Sequence, residues 1–440
     1  MSDASISESM SLELLKVVER ARREPEGRFH SLAHLIDVPA LERSYRRQRK
    51  AAAVGVDGVT KQQYGEALEA NLGDLHERMK TMRYRHRPLK RVYIPKGPNQ
   101  TRPIGVSVFE DKIVQDALRE VLEAVYEQDF LECSHGFRPK RRAHDAVRAL
   151  DRAVHQGKVN WVLEADIVSF FDSLDRTKLK EMLQVRIADG SLLRLIGKCL
   201  HVGVLEGEQY SEPEQGTTQG SVLSPLLGNV YLHYALDVWF EREVKPHLQG
   251  AASLIRYADD FIIGMERRED AQQVMAQLIE RLGQYGLTLH PQKTRLVEFC
   301  RPSSNHRGKG PDTFDFLGFT FYWGRGRRGT WTMRCKTRHV RLRGAIHALG
   351  QWCRGHRHRP LKEQHAALKR RLVGHFNYFG VNGNLRSLAC LVEQTKREWF
   401  KWLRRRGQRR PLSWERFGLL LKRYPLPKPR ITVRIWASAT

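Results

Sequence analysis

Asp259 and Asp260 adjoin in the stretch Leu254-Ile255-Arg256-Tyr257-Ala258-Asp259-Asp260-Phe261-Ile262-Ile263-Gly264. Neighbouring carboxylates repel each other and are costly to bury without a counter-charge. A divalent cation removes that cost, and Mg2+ prefers hard oxygen donors: a few carboxylates together with substrate phosphates. A third carboxylate is then expected on a neighbouring strand. Asp166, near the end of the apolar run Trp161–Ile167, is the first candidate, and Asp172 on the same turn is its competitor. Two metal ions in such a site stabilise the attacking and leaving oxygens of an in-line phosphoryl displacement. An Asp pair alone more often marks an ordinary turn, so the surrounding elements must decide.

Apolar residues flank the pair on both sides, which reads as a hairpin with the carboxylates at its tip. Trp161–Ile167 reads as a buried strand running into a turn. "KRVYIP" and "RPIGV" surround a Gly-Pro-Asn turn and read as a second hairpin. Between them and the Trp161 strand, Ile113, Ala117, Val121 and Val125 recur at fourfold spacing and predict an amphipathic helix. "GTTQGSVLSPLLGNVYLHY" reads as a Gly-rich loop opening a helix. "LTLHPQKTRLVEF" and "FDFLGFTFYW" read as strands, and from about Arg325 the chain reads as mostly helical and strongly basic.

A chain of 440 residues accommodates two or three domains. It contains no apolar run of about 18 residues, so no membrane span is expected. The six cysteines are scattered without a CxxC pair, which argues against a zinc site or a disulfide framework. The polar N-terminus does not resemble a secretory signal, and a cytoplasmic location is expected. Net charge is +27, and its distribution is uneven. Residues 321–440 hold 30 Lys and Arg against 4 Asp and Glu, whereas the rest of the chain holds 46 against 45. Such a concentration points to a polyanion partner. Trp352, Phe376, Tyr378, Phe379, Trp399, Phe400, Trp402 and Trp414 lie among these cations, a mixture that suits a nucleic-acid-binding surface. Arg404, Arg405 and Arg406 are candidate phosphate contacts. Consecutive helical residues point about 100° apart, so one or two of the three are expected to reach a backbone.

Taken in order, these blocks resemble the reverse transcriptases encoded by bacterial group II introns. "YADD" matches the family's YxDD signature, "EADIVSFFD" its first catalytic motif, and "GTTQGSVLSPLLGNVYLHY" its nucleotide-binding motif. "RPIGV" and "HGFRPKRRAHDAV" resemble the fingers blocks. "LTLHPQKT" and "FLGF" resemble the last palm blocks, and "GHFNYFGVNGN" the thumb, or maturase, region. The resemblance implies an α+β right-hand polymerase fold with fingers, a palm built on an antiparallel sheet, and a helical thumb. The boundaries expected are an N-terminal extension over 1–60, fingers and palm over 61–320, a basic helical thumb over 321–400, and a short DNA-binding appendage over 401–440.

The resemblance also assigns roles. Asp166, Asp259 and Asp260 match the metal-binding triad, assisted by the backbone carbonyl of Ile167, for Mg2+ or Mn2+ in its place. Phe171 matches the bulky residue beneath the sugar that selects dNTPs over rNTPs. Lys96 and Arg102 match positions that grip the triphosphate, and Gln219 and Gly220 the nucleotide pocket. Lys293, in "HPQKT", is expected beneath the carboxylates or at the nucleic-acid surface. Thr218 stands where the family usually has Pro. No Cys/His endonuclease pattern and no ribonuclease H block are present, so DNA cleavage is not expected. The implied activity is RNA-templated DNA synthesis from dNTPs on a DNA primer or target, with group II intron RNA as the expected template. A splicing cofactor that only binds RNA, and a relative serving phage defence, CRISPR spacer acquisition or DNA repair, are the alternatives. Phe171 argues against an RNA-dependent RNA polymerase.

Overall fold

The computed structural model describes residues 10–435 except 98–99, 157, 207–208, 212–215, 217–219, 307–310, 327–328 and 407–411, with backbone alone at 96, 97 and 100. The strands are β1 (Leu89–Gly97), β2 (Gln100–Val106), β3 (Trp161–Asp166), β4 (Val204–Glu206), β5 (Gln209–Ser211) and β6 (Ala252–Tyr257). They continue with β7 (Asp260–Met265), β8 (Arg295–Glu298), β9 (Phe314–Phe316), β10 (Phe319–Arg325) and β11 (Trp331–Thr337). They form three sheets, in the orders β2-β1-β4-β5, β6-β7-β3-β8 and β11-β10-β9. This is the right-hand polymerase architecture: a fingers hairpin, an antiparallel palm sheet and a helical thumb.

The palm sheet is covered on both faces, which explains why β3 and β7 read as continuous apolar runs. Leu163, Ala165, Phe261 and Ile263 point into the larger core, where the helix Phe109–Asp129 and the N-terminal helices pack. Val162, Ile255, Ile262 and Val297 point the other way, into a second core shared with β9, β10 and β11. Ile113, Ala117, Val121 and Val125 are buried as the fourfold spacing predicts, but the helix is enclosed beyond that stripe. Asp116 and Glu120 are buried on it too, and both receive Arg47 from the N-terminal helix Val38–Arg47.

The basic region becomes helical later than its charge suggested. β11 alternates buried Trp331, Met333, Cys335 and Thr337 with Thr332, Arg334 and Lys336, and helices begin only at His339. The cations fall on the open face of a strand, so composition concealed a period-two pattern. In the helices beyond, Phe376, Trp399, Phe400 and Leu403 are buried together. Trp399 donates its indole N–H to Gln364 at 3.0 Å. Most of the aromatics that suggested a stacking surface therefore build the thumb's own core. The last described residues return to the palm: Ile435 is buried in the second core, and its N–H donates to Asn382.

Candidate active site

In the register of β3 on β7, Asp166 stands opposite Asp260. Directly opposed residues of an antiparallel pair share a face. Both carboxylates thus leave the sheet on the side where Val162 and Ile262 pack. Ala258 and Asp259 form the two-residue turn joining β6 to β7. Ala258 takes φ 58°, a left-handed conformation costing a residue with a Cβ roughly 1–2 kcal/mol. Asp172 lies elsewhere, exposed on the short helix Phe170–Ser173, so Asp166 is the carboxylate that meets the pair.

The two turn carboxyls are hard to ionise together. Burial, then the neighbouring Asp259 charge, pushes Asp260 up to about 7, while the Leu317 N–H it accepts works the other way. Asp259 is raised by burial and by the Asp166 charge, and the Arg102 and Arg256 charges oppose this. Among the described residues no three His, Cys, Asp or Glu side chains converge into a metal-binding group. Asp166 instead turns one oxygen to Lys293, whose Nζ lies 2.6 Å from Oδ2. The turn holding Lys293 is pinned to the same strand, because His290 N–H donates to the Asp166 carbonyl at 2.7 Å. Three hard-oxygen side chains, two of them raised first by burial and then by a neighbouring carboxylate and the third drawing in an ammonium, are the donor set a divalent cation suits.

Ile167 bridges Leu289. The two bonds of that bridge run from Val168 N–H and to the Asp166 carbonyl, so neither uses the Ile167 carbonyl. Phe171 is half-buried, edge-on to Phe170 with ring centres 5.0 Å apart. A Cβ on Gly228 would lie 3.0–3.1 Å from both rings, so that glycine makes their room. Arg102 is exposed on β2 opposite Ile94. Gly220 takes φ 114°, and a Cβ there would meet the Gly105 carbonyl at 2.6 Å, so the nucleotide-motif loop rests directly on β2. The Lys96 side chain, Thr218 and Gln219 lie outside the described residues. Arg404 and Arg405 are exposed at the end of the helix Leu385–Arg404, whereas Arg406 donates to the Arg359 carbonyl at 2.7 Å.

Residues 94–321 match the family model described as reverse transcriptase (RNA-dependent DNA polymerase). The chain belongs to the reverse transcriptase family. It is 32% identical over 244 residues to the group II intron-encoded protein LtrA of Lactococcus lactis subsp. cremoris, covering 53% of this chain and 40% of LtrA. It is 30% identical over 280 residues to the protein YkfC of Escherichia coli (strain K12), covering 56% of this chain and 74% of YkfC. It is 30% identical over 271 residues to an uncharacterized 91 kDa protein in the cob intron of Schizosaccharomyces pombe, covering 50% of this chain and 33% of that protein. This reverse transcriptase thus aligns with a group II intron-encoded protein and with a protein of the cob intron, of which it spans 40% and 33% of the length. Divalent metals serve the reverse transcriptase domain generally.

Sequence reasoning missed what holds the carboxylate turn of this reverse transcriptase. Arg256 is wholly buried, and all five of its N–H groups have partners. Nε and Nη2 donate to Asp237 at 2.7 and 2.5 Å, and Nη2 also donates to Ser134 Oγ at 2.7 Å. Nη1 donates to Asn229 Oδ1 and to the Ala258 carbonyl, both at 3.0 Å. Asn229 in turn donates to the Gly136 carbonyl at 2.7 Å. Gly136 presses on the turn so closely that a Cβ would lie 2.3 Å from Ala258 N. One signal was available: Arg256 inside an apolar strand and Asp237 inside an apolar helix are charges that burial forces to pair.

Proposed function

We propose that this chain is an RNA-directed DNA polymerase of the group II intron type, acting on nucleic acid in the cytoplasm. The observation that carries this reading is the opposition of Asp166 and Asp260 with Asp259 at the adjoining turn. Asp166, Asp259 and Asp260 would hold Mg2+, or Mn2+ in its place, with the Ile167 carbonyl as a further oxygen. Bound there, the metal supplies positive charge to the phosphates of an in-line displacement.

The chain's own contribution is positioning. A primer 3′-hydroxyl attacks the α-phosphate of a dNTP, and pyrophosphate leaves. Arg102 and Lys96 offset charge on the triphosphate. Gly220, with Gln219, lets the backbone approach the nucleotide, and Phe171 fills the space a 2′-hydroxyl would need. Lys293 neutralises Asp166 until substrate and metal enter. Group II intron RNA is the proposed template, with a DNA strand as primer or target. A second role, RNA binding of the maturase kind, is supported by the charge of residues 321–440.

Primer extension on an RNA template tests the reading. Asp259→Ala should abolish Mg2+-dependent dNTP incorporation and leave RNA affinity intact. Extension by Asp166→Ala or Asp260→Ala at near the wild-type rate would refute the triad.

A further inference from the structure

Away from the carboxylates, the helices Arg176–Arg186 and Gly190–Leu200 enclose a cavity of about 830 Å³. That lies within the range of ligand pockets, roughly 300–1,000 Å³. Its aliphatic lining, Leu183, Leu193, Ile196 and Leu200, is buried or half-buried and makes the floor. Of its cations, Arg85, Lys180 and Arg194 are exposed at the rim, and Arg176 and Lys198 are half-buried. A second hollow of about 390 Å³ shares Arg194 and Lys198 and adds Lys80. Among the described residues, neither hollow is lined by an Asp or a Glu.

This one-sided lining is informative because the chain outside residues 321–440 is balanced, with 46 basic and 45 acidic residues. Six cations with no carboxylate between them are a local segregation within a neutral body. Two of the cations are held by backbone carbonyls. Lys198 donates to the carbonyls of Met82 and Tyr84 at 3.0 and 2.6 Å, and Arg194 donates to the Gly190 carbonyl at 3.4 Å. Carbonyl dipoles orient an ammonium or guanidinium but leave its net charge for a ligand.

We propose that this paired hollow is a second RNA-binding site, separate from the Asp166–Asp260 site, that takes a single-stranded RNA segment. Its phosphates run along Arg85, Lys180, Arg194 and Lys80, and an unstacked base enters the aliphatic floor. Charge complementarity selects a polyanion, and an apolar floor below a cationic rim suits a base attached to a phosphate chain. A duplex exposes too little base surface to use such a floor. The proposal deepens the functional reading given above and rests on it only for the choice of RNA.

The test uses the full chain and the variant Arg85→Glu/Lys180→Glu/Arg194→Glu, whose positions lie outside the proposed catalytic set. The probe is a labelled single-stranded RNA in which 4-thiouridine replaces uridine. Expected are photo-crosslinks within residues 176–201, a tenfold or greater loss of affinity in the variant, and a salt slope shallower by about 2 from three lost phosphate contacts. Extension of a short annealed primer should be unchanged in the variant. Crosslinks confined to other peptides, or unchanged affinity and slope, overturn the proposal. So does binding of UMP alone that the variant loses while RNA affinity stays constant, since the hollow is then a mononucleotide pocket. A wild-type chain that crosslinks as expected yet extends no primer contradicts the polymerase reading and leaves this one standing.

Discussion

Arg256 and Asp237 are both wholly buried and face each other through two hydrogen bonds, Nε to Oδ1 at 2.7 Å and Nη2 to Oδ2 at 2.5 Å. The pair does more than neutralise itself, because the same guanidinium holds the Ala258 carbonyl beside Asp259. Removing one partner of a buried pair strands the other charge and costs about 3–5 kcal/mol. Asp237→Ala should therefore lower unfolding free energy by about that amount in urea titration. A loss below about 1 kcal/mol would mean that Arg256 finds another counter-charge or water.

Gly136 and Ala258 make a second constraint on the same turn. Here the obstacle is backbone, which cannot rotate away: a Cβ at Gly136 would sit 2.3 Å from Ala258 N and 2.8 Å from the Tyr257 carbonyl carbon. Gly136→Ala should cost about 1–3 kcal/mol through overpacking. It should also slow dNTP incorporation more than it weakens RNA binding. Equal losses in both would show a general fold defect, not a displaced turn.

Phe171 offers a test of sugar choice. Its ring is fixed by Phe170 and by the gap at Gly228. Phe171→Ala should raise the ratio of rNTP to dNTP incorporation in single-nucleotide extension. An unchanged ratio would leave the ring a packing residue only.

The cluster at the end of the thumb helix should split by exposure. Arg404 and Arg405 are exposed, and Arg406 is engaged by the Arg359 carbonyl. Each phosphate contact contributes about 0.7 to the log–log salt slope on single strands and about 0.9 on duplex DNA. Arg404→Gln/Arg405→Gln should shallow the slope by about 1–2, and Arg406→Gln by less. Measuring RNA affinity across a salt series decides this, and a larger effect from Arg406 would reverse the assignment.

His233 should make stability fall in acid. Burial lowers its pKa to about 4 from 6.5, with the Asp237 charge opposing and Arg256 assisting. Its ring meets Phe130 and Tyr234 edge-on. Between pH 6.5 and 4 the unfolded chain binds the proton and the folded chain does not, so stability drops as pH falls through that window. The full separation corresponds to about 3 kcal/mol for this one group. His233→Phe keeps a ring in place and should flatten the decline in the urea midpoint between pH 7 and 4.5. An equally steep decline would assign the acid sensitivity to other groups.

Much of the fold was legible because it depends on local pattern. The two apolar runs around Asp259 and Asp260 became β6 and β7, and the Trp161 run became β3. The fourfold repeat at Ile113 became the long palm helix, and the uneven charge was plain from counting. Each of these follows from periodicity within a short window. Others depended on which distant segments meet. Lys293 reaches Asp166 across 127 residues of chain, and Arg256 gathers Ser134, Asn229 and Asp237 around one guanidinium. No window of sequence contains such a set, and exposure is equally nonlocal. Trp399 and Trp414 carry the same ring in the same basic region, yet one is fully buried and the other half open. Helix packing, and not residue type, decides which faces water. Burial then made the difference chemically: closing the two protein cores over the palm sheet raised Asp260 to about 7, beside Asp259 and opposite Asp166.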